Sequence, residues 1–204
     1  MVSSWLALDE YRIVTNMKNL AVGVILTLVM QAAYTVHSSE NDDADAKLTA
    51  VKQQVHLLAG RWDGYLEYRD YQSDRRVRLP LARTTHVAPD SSYVITQSEF
   101  TDPGYKVYSA EMIQLSDRAA RAVTVYGDEL SVDELTVATV DVSSAGWTAV
   151  FETDGTDDEK PAKIRYSWRF AKASPSTLSI EKSVRPLDEG EFAFRNRVQL
   201  AKQP

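Results

Sequence analysis

The chain has 204 residues, of which 44% are hydrophobic and 25% charged, and its formal net charge is −6. This length and composition fit one globular domain that can bury a core without metal or disulfide staples. The acidic balance disfavours nucleic acid and anionic lipid surfaces as partners. Since the chain contains no cysteine, it excludes disulfides, thiol nucleophiles, iron–sulfur clusters, thiolate zinc sites and a lipidated cysteine anchor.

A secretory leader is predicted over residues 17–38. Lys18 precedes an uncharged apolar run over residues 20–30, and small and polar residues follow through Ser38. This order is typical of a signal peptide, and the run is shorter than the roughly 20 residues that a membrane span needs. We expect cleavage near Ser38, with Ala32 or Ala33 as alternatives and an uncleaved anchor as the competing hypothesis.

Residues 1–16 do not fit such a leader, because they place Asp9 and Glu10 where a signal peptide carries positive charge. We interpret them as a miscalled upstream start, with translation beginning at Met17. The mature protein is therefore predicted to be secreted into the periplasm, with no membrane span of its own.

The mature chain is predicted to begin with a polar, flexible tether over residues 39–45 and one short helix. Leu48, Val51, Val55 and Leu58 recur at helical spacing. Asp45 is a plausible N-cap, and Gly60 ends the helix. Residues 46–204 form a single predicted domain that consists of this helix and the strands that follow it.

Turn signals recur every 10 to 15 residues after Gly60, with no further helical pattern between them. Ten strand candidates lie between these turns, centred near residues 66, 80, 96, 109, 122, 136, 149, 167, 180 and 196. Short loops between consecutive strands indicate antiparallel neighbours, and closure of the sheet removes its exposed edges. The predicted fold is all-β, an up-and-down antiparallel closed barrel.

Alternation of apolar and polar residues predicts which strand faces are alike. Trp62, Gly64, Leu66 and Tyr68 share one face of the first strand, and the clearest later faces are Ile164-Tyr166-Trp168-Phe170, Leu178-Ile180-Val184 and Phe192-Phe194-Val198-Leu200. Alternation alone leaves open which face points inward. An outer-membrane barrel would crowd Arg165, Arg169, Glu181 and Arg185 into its lumen, so a soluble barrel with an apolar interior is favoured.

A helical segment that leads into Gly60-Arg61-Trp62 and then an antiparallel meander resembles the lipocalin and calycin superfamily. With ten predicted strands, the chain resembles the fatty-acid-binding branch of this superfamily more than an eight-stranded lipocalin. The resemblance implies that an arginine of the final strand, Arg195 or Arg197, packs across Trp62 by a cation–π contact. It also implies a barrel that binds a small apolar ligand.

Polar residues on otherwise apolar faces are the candidate ligand site. Arg83 follows Leu81, Lys182 interrupts Ile180 and Val184, and Arg121 and Asn196 occupy similar positions. If these four converge beside Tyr166 and Trp168, they form a basic, aromatic-walled pocket for an anionic amphiphile such as a fatty acid. The alternative is that Arg83 and Lys182 lie at the barrel rims, with their charged ends in water.

No cofactor or catalytic motif is predicted. His37, His56 and His86 are the only histidines, and the chain has no nucleophile elbow, phosphate-binding loop or dinucleotide fingerprint. The predicted function is a secreted binding module for a small apolar or anionic amphiphilic ligand. Two alternatives stay open: an isomerase or hydrolase that uses a lone acid, and a solidly packed interaction module of the cell envelope.

Overall fold

The computed structural model describes residues 42–204, apart from residues 71, 72, 74, 103, 117, 118, 127, 158, 188 and 189. The predicted upstream start and the predicted signal peptide lie outside these residues. Within them, no helix has the length and hydropathy needed to cross a bilayer.

Helix α1 covers residues 42–54 and continues into a 3-10 turn, η1, at Val55–Leu58. The predicted tether is therefore wrong at its C-terminal end, since residues 42–45 are helical and Asp45 lies inside the helix. Asp42, Asp43 and Asp45 are favourable in a first turn, where carboxylates meet the positive end of the helix dipole. The apolar stripe of the helix is buried as its spacing predicts: Leu48, Val51, Val55 and Leu58.

Ten strands follow, and consecutive strands pair antiparallel throughout, so that the predicted up-and-down barrel is confirmed. The strands are β1 Gly60–Arg69, β2 Arg76–Val87, β3 Tyr93–Asp102, β4 Tyr105–Leu115, β5 Ala120–Tyr126, β6 Glu129–Ser143, β7 Gly146–Asp157, β8 Lys160–Ala171, β9 Thr177–Pro186 and β10 Ala193–Lys202.

The barrel closes where β1 pairs with β10, in a register that runs from Trp62 opposite Lys202 to Tyr68 opposite Asn196. Gly64 is required at this seam, because a Cβ atom there would lie 1.9 Å from the backbone oxygen of Gln199. A closed sheet has no free edge, which removes the site at which another chain could add a strand.

The predicted apolar face of most strands lines the interior. One chain of aromatic contacts crosses it: Trp62 to Phe170 (ring centroids 6.3 Å apart), Phe170 to Trp147 (6.4 Å), Trp147 to Trp168 (6.3 Å) and Trp168 to Phe151 (5.3 Å). The buried residues of the helix belong to the same hydrophobic cluster as Trp62 and Leu200. Apolar packing therefore fills the part of the barrel that the helix covers.

The prediction that Phe192 and Phe194 share the inner face with Val198 is wrong. The pairing of β10 with β9 shifts between Phe194, opposite Ser183, and Asn196, opposite Lys182. The extra residue is Arg195, and such a bulge reverses the alternation on its N-terminal side. Phe192 and Phe194 consequently lie on the outer wall, where arginine side chains cover them: Arg165 is 3.7 Å from the Phe192 centroid and Arg76 is 4.1 Å from that of Phe194.

Candidate ligand-binding site

An interior cavity of about 270 Å³ lies beyond the aromatic packing. Phe151, Trp168, Leu66, Phe100 and Val198 are among the apolar side chains that line it. The polar side chains around it come from seven different strands: Arg83, Ser109, Glu111, Thr124, Asp133, Tyr166, Lys182 and Asn196.

Five of the six predicted ligand-site residues line this cavity: Arg83, Tyr166, Trp168, Lys182 and Asn196. Cross-strand register explains part of their convergence, because Tyr166 lies directly opposite Lys182, and Lys182 lies directly opposite Asn196. These three adjacent strands bring a phenol, an ammonium and an amide to one level of the inner wall.

Arg121 does not join them. It lies on the outer wall of β5, 47% exposed, and its Nε donates a hydrogen bond to Glu134 Oε1 at 2.7 Å. The sequence analysis placed Arg121 on an apolar face together with Ala119 and Val123. The buried residues of this strand are instead Ala120 and Ala122, and Ala122 lines the cavity.

Two carboxyl groups that the sequence analysis missed, Glu111 and Asp133, also line the cavity. The signal was present, since Glu111 is in phase with Ile113 and Leu115, and Asp133 is in phase with Leu135 and Val137. These are polar residues on apolar faces, the criterion that identified Arg83 and Lys182. The cavity is therefore not simply basic: it carries two formally cationic side chains and two carboxyl groups.

Most of these polar groups have no protein partner. Arg83 Nε donates to Ser98 Oγ at 3.1 Å. Among the residues that the structure describes, no hydrogen bond or ion pair within 4.0 Å engages the side chains of Glu111, Asp133, Lys182 or Asn196 or the Tyr166 hydroxyl. Their polar atoms are not sealed in protein, because they retain surface that a solvent molecule can touch. Unpartnered polar groups at an enclosed cavity are available to a ligand or to water.

Burial shifts the pKa values of three of these groups. It raises the pKa of Glu111, an effect that Arg83 opposes and that Asp133 increases. It lowers the pKa of Arg83, with Glu111 acting in the opposite direction, although a guanidinium remains protonated in proteins. It also raises the pKa of Tyr166, to which Asp133 and Glu111 add. Glu111, Asp133, Arg83 and Tyr166 thus form one electrostatically coupled set.

The predicted packing of Arg195 or Arg197 across Trp62 is not what the structure shows. Arg195 Nε binds Asp157 at 3.0 Å, and Arg197 Nε binds Glu181 at 2.9 Å. The cation beside the Trp62 ring is the Lys202 ammonium, 5.4 Å from the centroid, because Lys202 lies directly opposite Trp62 in the register.

Lys202 also joins the barrel to the helix. Its Nζ donates to the backbone oxygen of Leu57 at 3.1 Å, and Trp62 Nε1 donates to that of Leu58 at 2.9 Å. Gly60, the first residue of β1, has a φ of 125°, a conformation that favours glycine. These contacts make Gly60, Trp62 and Lys202 structural residues of the helix-covered end.

A larger groove, of about 890 Å³, runs along β1 to β5. It is open to solvent, and outward residues such as Asp63, Thr84 and Tyr108 supply much of its lining. Lys106 and Glu99, also in its lining, already form an ion pair. The interior cavity is the better candidate site because it lies within the barrel and most of its polar side chains have no partner in the described protein.

Neither a cluster of metal-binding side chains nor a match to a known protein family indicates which ligand the cavity takes. In the described part of the chain, no group of three or more histidine, aspartate or glutamate side chains is placed to hold a metal ion. The sequence matches no protein-family model and none of the curated proteins compared with it.

Proposed function

We propose that this protein binds a compact small molecule inside the barrel, without chemical conversion. The observation that carries the proposal is the convergence, on one interior cavity, of polar side chains that have no partner among the described residues: Glu111, Asp133, Tyr166, Lys182 and Asn196. Because these groups keep solvent-accessible surface inside the barrel, each can hold a water molecule or exchange it for a polar atom of a ligand.

Cavity size restricts the ligand. A volume of about 270 Å³ lies just below the roughly 300–1,000 Å³ that is usual for sites of drug-sized ligands. It corresponds to roughly nine water molecules at liquid density, or a ligand of roughly a dozen non-hydrogen atoms. A long-chain fatty acid would have to leave part of its chain outside, so a short amphiphile fits this volume better.

The cavity walls suit a ligand with an apolar or flat body. Phe151 and Trp168 form an edge-to-face pair at the boundary between the cavity and the packed core. Aromatic side chains supply large contact areas with little loss of conformational entropy on binding. The body of the ligand would rest on these rings while its polar groups meet the unpartnered side chains.

Secretion to the periplasm is part of the same proposal, and the apolar run over residues 20–30 behind Lys18 supports it. The cavity itself argues against the alternative of a solidly packed interaction module.

The test is native mass spectrometry of the protein purified from its own source, combined with two leucine variants. Ala122→Leu fills the cavity from the inner wall of β5, whereas Ala82→Leu adds the same atoms to the outer wall of β2, in the groove. We expect the wild-type protein and the Ala82→Leu variant to retain a ligand and the Ala122→Leu variant to lose it. Retention by Ala122→Leu with loss from Ala82→Leu would place binding in the outer groove and contradict the proposal.

A second candidate function is an enzyme that uses Glu111 as an acid or base. The raised pKa of Glu111 favours it, because burial makes this carboxyl group a better proton acceptor than an ordinary glutamate. If the retained ligand were converted on incubation, and Glu111→Gln abolished conversion while preserving binding, the enzyme would replace the binding protein as the conclusion.

A further inference from the structure

Charged groups around the cavity are segregated by strand. The carboxyl groups come from β4 (Glu111) and β6 (Asp133), and the cations come from β2 (Arg83) and β9 (Lys182). In the closed barrel, β4 and β6 are separated only by β5, while β9 and β2 are separated by β10 and β1. One arc of the wall, from β4 to β6, therefore carries the acids, and a second arc, from β9 through β10 and β1 to β2, carries the cations. Arg83 and Glu111 are the neighbouring ends of the two arcs, with only β3 between their strands.

The two arcs do not neutralise each other by direct contact. In the described chain, neither cation lies within the 4.0 Å ion-pair distance of either carboxyl group. The strands that carry Arg83 and Glu111 are two apart, about 10 Å at the usual strand spacing of about 4.8 Å. The register adds to this separation, because Arg83 lies level with Ser109 and Glu111 lies two residues further along β4. Their electrostatic influence on each other nevertheless extends through the cavity.

Small residues keep the acid arc accessible. Ala122 lies directly opposite Asp133, and Thr124 lies directly opposite Glu111, so β5 presents only short side chains between the two carboxyl groups. Ser109 precedes Glu111 on the inner face of β4. On the cation arc, Asn196 lies beside Lys182 and adds a group that can either donate or accept a hydrogen bond.

This arrangement disfavours a ligand of a single charge. A simple carboxylate would meet Arg83 and Lys182 but would place its body against two acids. An amine would be attracted by the two carboxyl groups but would place its body against Arg83 and Lys182. Charge interactions are strengthened in an interior of low dielectric constant, so both the attraction and the repulsion count more here than in water.

We propose, on the basis of the proposed binding function, that the ligand is a compact zwitterion whose opposite charges lie at the two ends of an apolar or aromatic body. Its anionic group lies between Arg83 and Lys182, with Asn196 as a further donor. Its cationic group lies between Glu111 and Asp133. Its body contacts Phe151 and Trp168 and spans the lumen between the two arcs.

Three probes with one aromatic body separate the charge classes: para-(aminomethyl)phenylacetate carries both charges, para-methylphenylacetate only the negative one and para-ethylbenzylamine only the positive one. Calorimetric titration of the full protein at neutral pH measures each affinity. We expect the zwitterion to bind about tenfold or more tightly than either single-charge probe, since each charge-assisted contact contributes that order of affinity.

Glu111→Gln is the variant that tests the assignment, and Glu134→Gln is the matched control on the outer wall of β6. We expect Glu111→Gln to reduce the preference for the zwitterion over para-methylphenylacetate by about tenfold. Glu134→Gln should leave that preference unchanged. Arg83→Gln should reduce the preference for the zwitterion over para-ethylbenzylamine.

Failure of this inference can be told apart from failure of the binding function. Tightest binding of a single-charge probe, or an unchanged preference in Glu111→Gln, would overturn the zwitterion and leave the binding function in place. A retained native ligand without opposite charges would do the same. Absence of a retained ligand together with absence of binding by all three probes would overturn both.

Discussion

Glu67 on β1 lies directly opposite Arg78 on β2, and Arg78 Nε donates to its Oε2 at 2.7 Å. Arg76 Nη1 donates to the other carboxylate oxygen at 2.8 Å. Across the closure seam, Glu67 faces Arg197, which in turn faces and binds Glu181 on β9. Four neighbouring strands thus carry a row of alternating charges over the seam at which the barrel closes.

Glu67→Gln is expected to lower the free energy of unfolding by about 1–3 kcal/mol, because the carboxylate is only 6% exposed and accepts two charge-assisted hydrogen bonds. Urea denaturation measures the loss. Glu134→Gln is the control, since that carboxylate is 62% exposed and exposed pairs contribute about 0–1 kcal/mol. Equal losses in the two variants would contradict the importance of the row at the seam.

Glu67 also predicts an acid-side dependence of stability. Its hydrogen bond from Arg78 lowers its pKa, with burial opposing and Arg76 reinforcing the shift. A carboxyl group whose folded-state pKa is lowered binds fewer protons than the unfolded chain does, so its stabilisation is present above the unfolded pKa and is lost as the pH falls through the folded pKa. Between about pH 5 and 2, the free energy of unfolding should fall by more in the wild-type protein than in the Glu67→Gln variant.

For Glu111 we expect the opposite dependence of stability on pH. Burial raises its pKa, so the folded protein binds more protons than the unfolded chain just above the unfolded value of 4.5. Its contribution to stability therefore falls as the pH rises through that window. Urea midpoints measured on a pH series should show this fall in the ligand-free wild-type protein and lose it in Glu111→Gln; a parallel profile in the two proteins would contradict the assignment.

Gly64→Ala is expected to disrupt barrel closure, since its Cβ would lie 1.9 Å from the Gln199 oxygen across the seam. The strands must separate locally, which we expect to cost about 3 kcal/mol or more, in the range of severe single substitutions. Gly104→Ala is the comparison: its Cβ meets nothing within 4 Å, so only the strain of its positive φ, about 1–3 kcal/mol, remains. Thermal unfolding by circular dichroism ranks the two variants.

Lys202→Met is expected to loosen the helix-covered end. It removes the hydrogen bond to the Leu57 oxygen and the cation–π contact with Trp62, together about 1–2 kcal/mol. Hydrogen exchange of the amides of Val55–Leu58 should accelerate. Lys106→Met is the matched control, because this lysine pairs with Glu99 on the outer wall. Acceleration in this variant as large as in Lys202→Met would contradict the role given to Lys202.

The local pattern of the chain was enough to predict the strands. Turn residues interrupt the alternation of apolar and polar residues at short intervals, and antiparallel neighbours need only such short connections. The sidedness of β8 and β9 also followed from their alternation, and with it the inward positions of Tyr166, Trp168 and Lys182. Polar residues on otherwise apolar faces predicted most of the cavity's polar lining. Burial of a polar group costs free energy unless the group finds a partner, so such residues indicate a site for water or a ligand.

What the sequence by itself determined is therefore the list of strands and, for most of them, the face that each presents. Only the tertiary structure decided which groups meet across the lumen, because Glu111 and Lys182 are brought to one cavity by closure and not by any local spacing. It also decided that Lys202 lies beside Trp62 and that the bulge at Arg195 turns Phe194 outward. Local alternation sets the direction of a side chain within its own strand, whereas its partners depend on the register between strands that are distant in sequence.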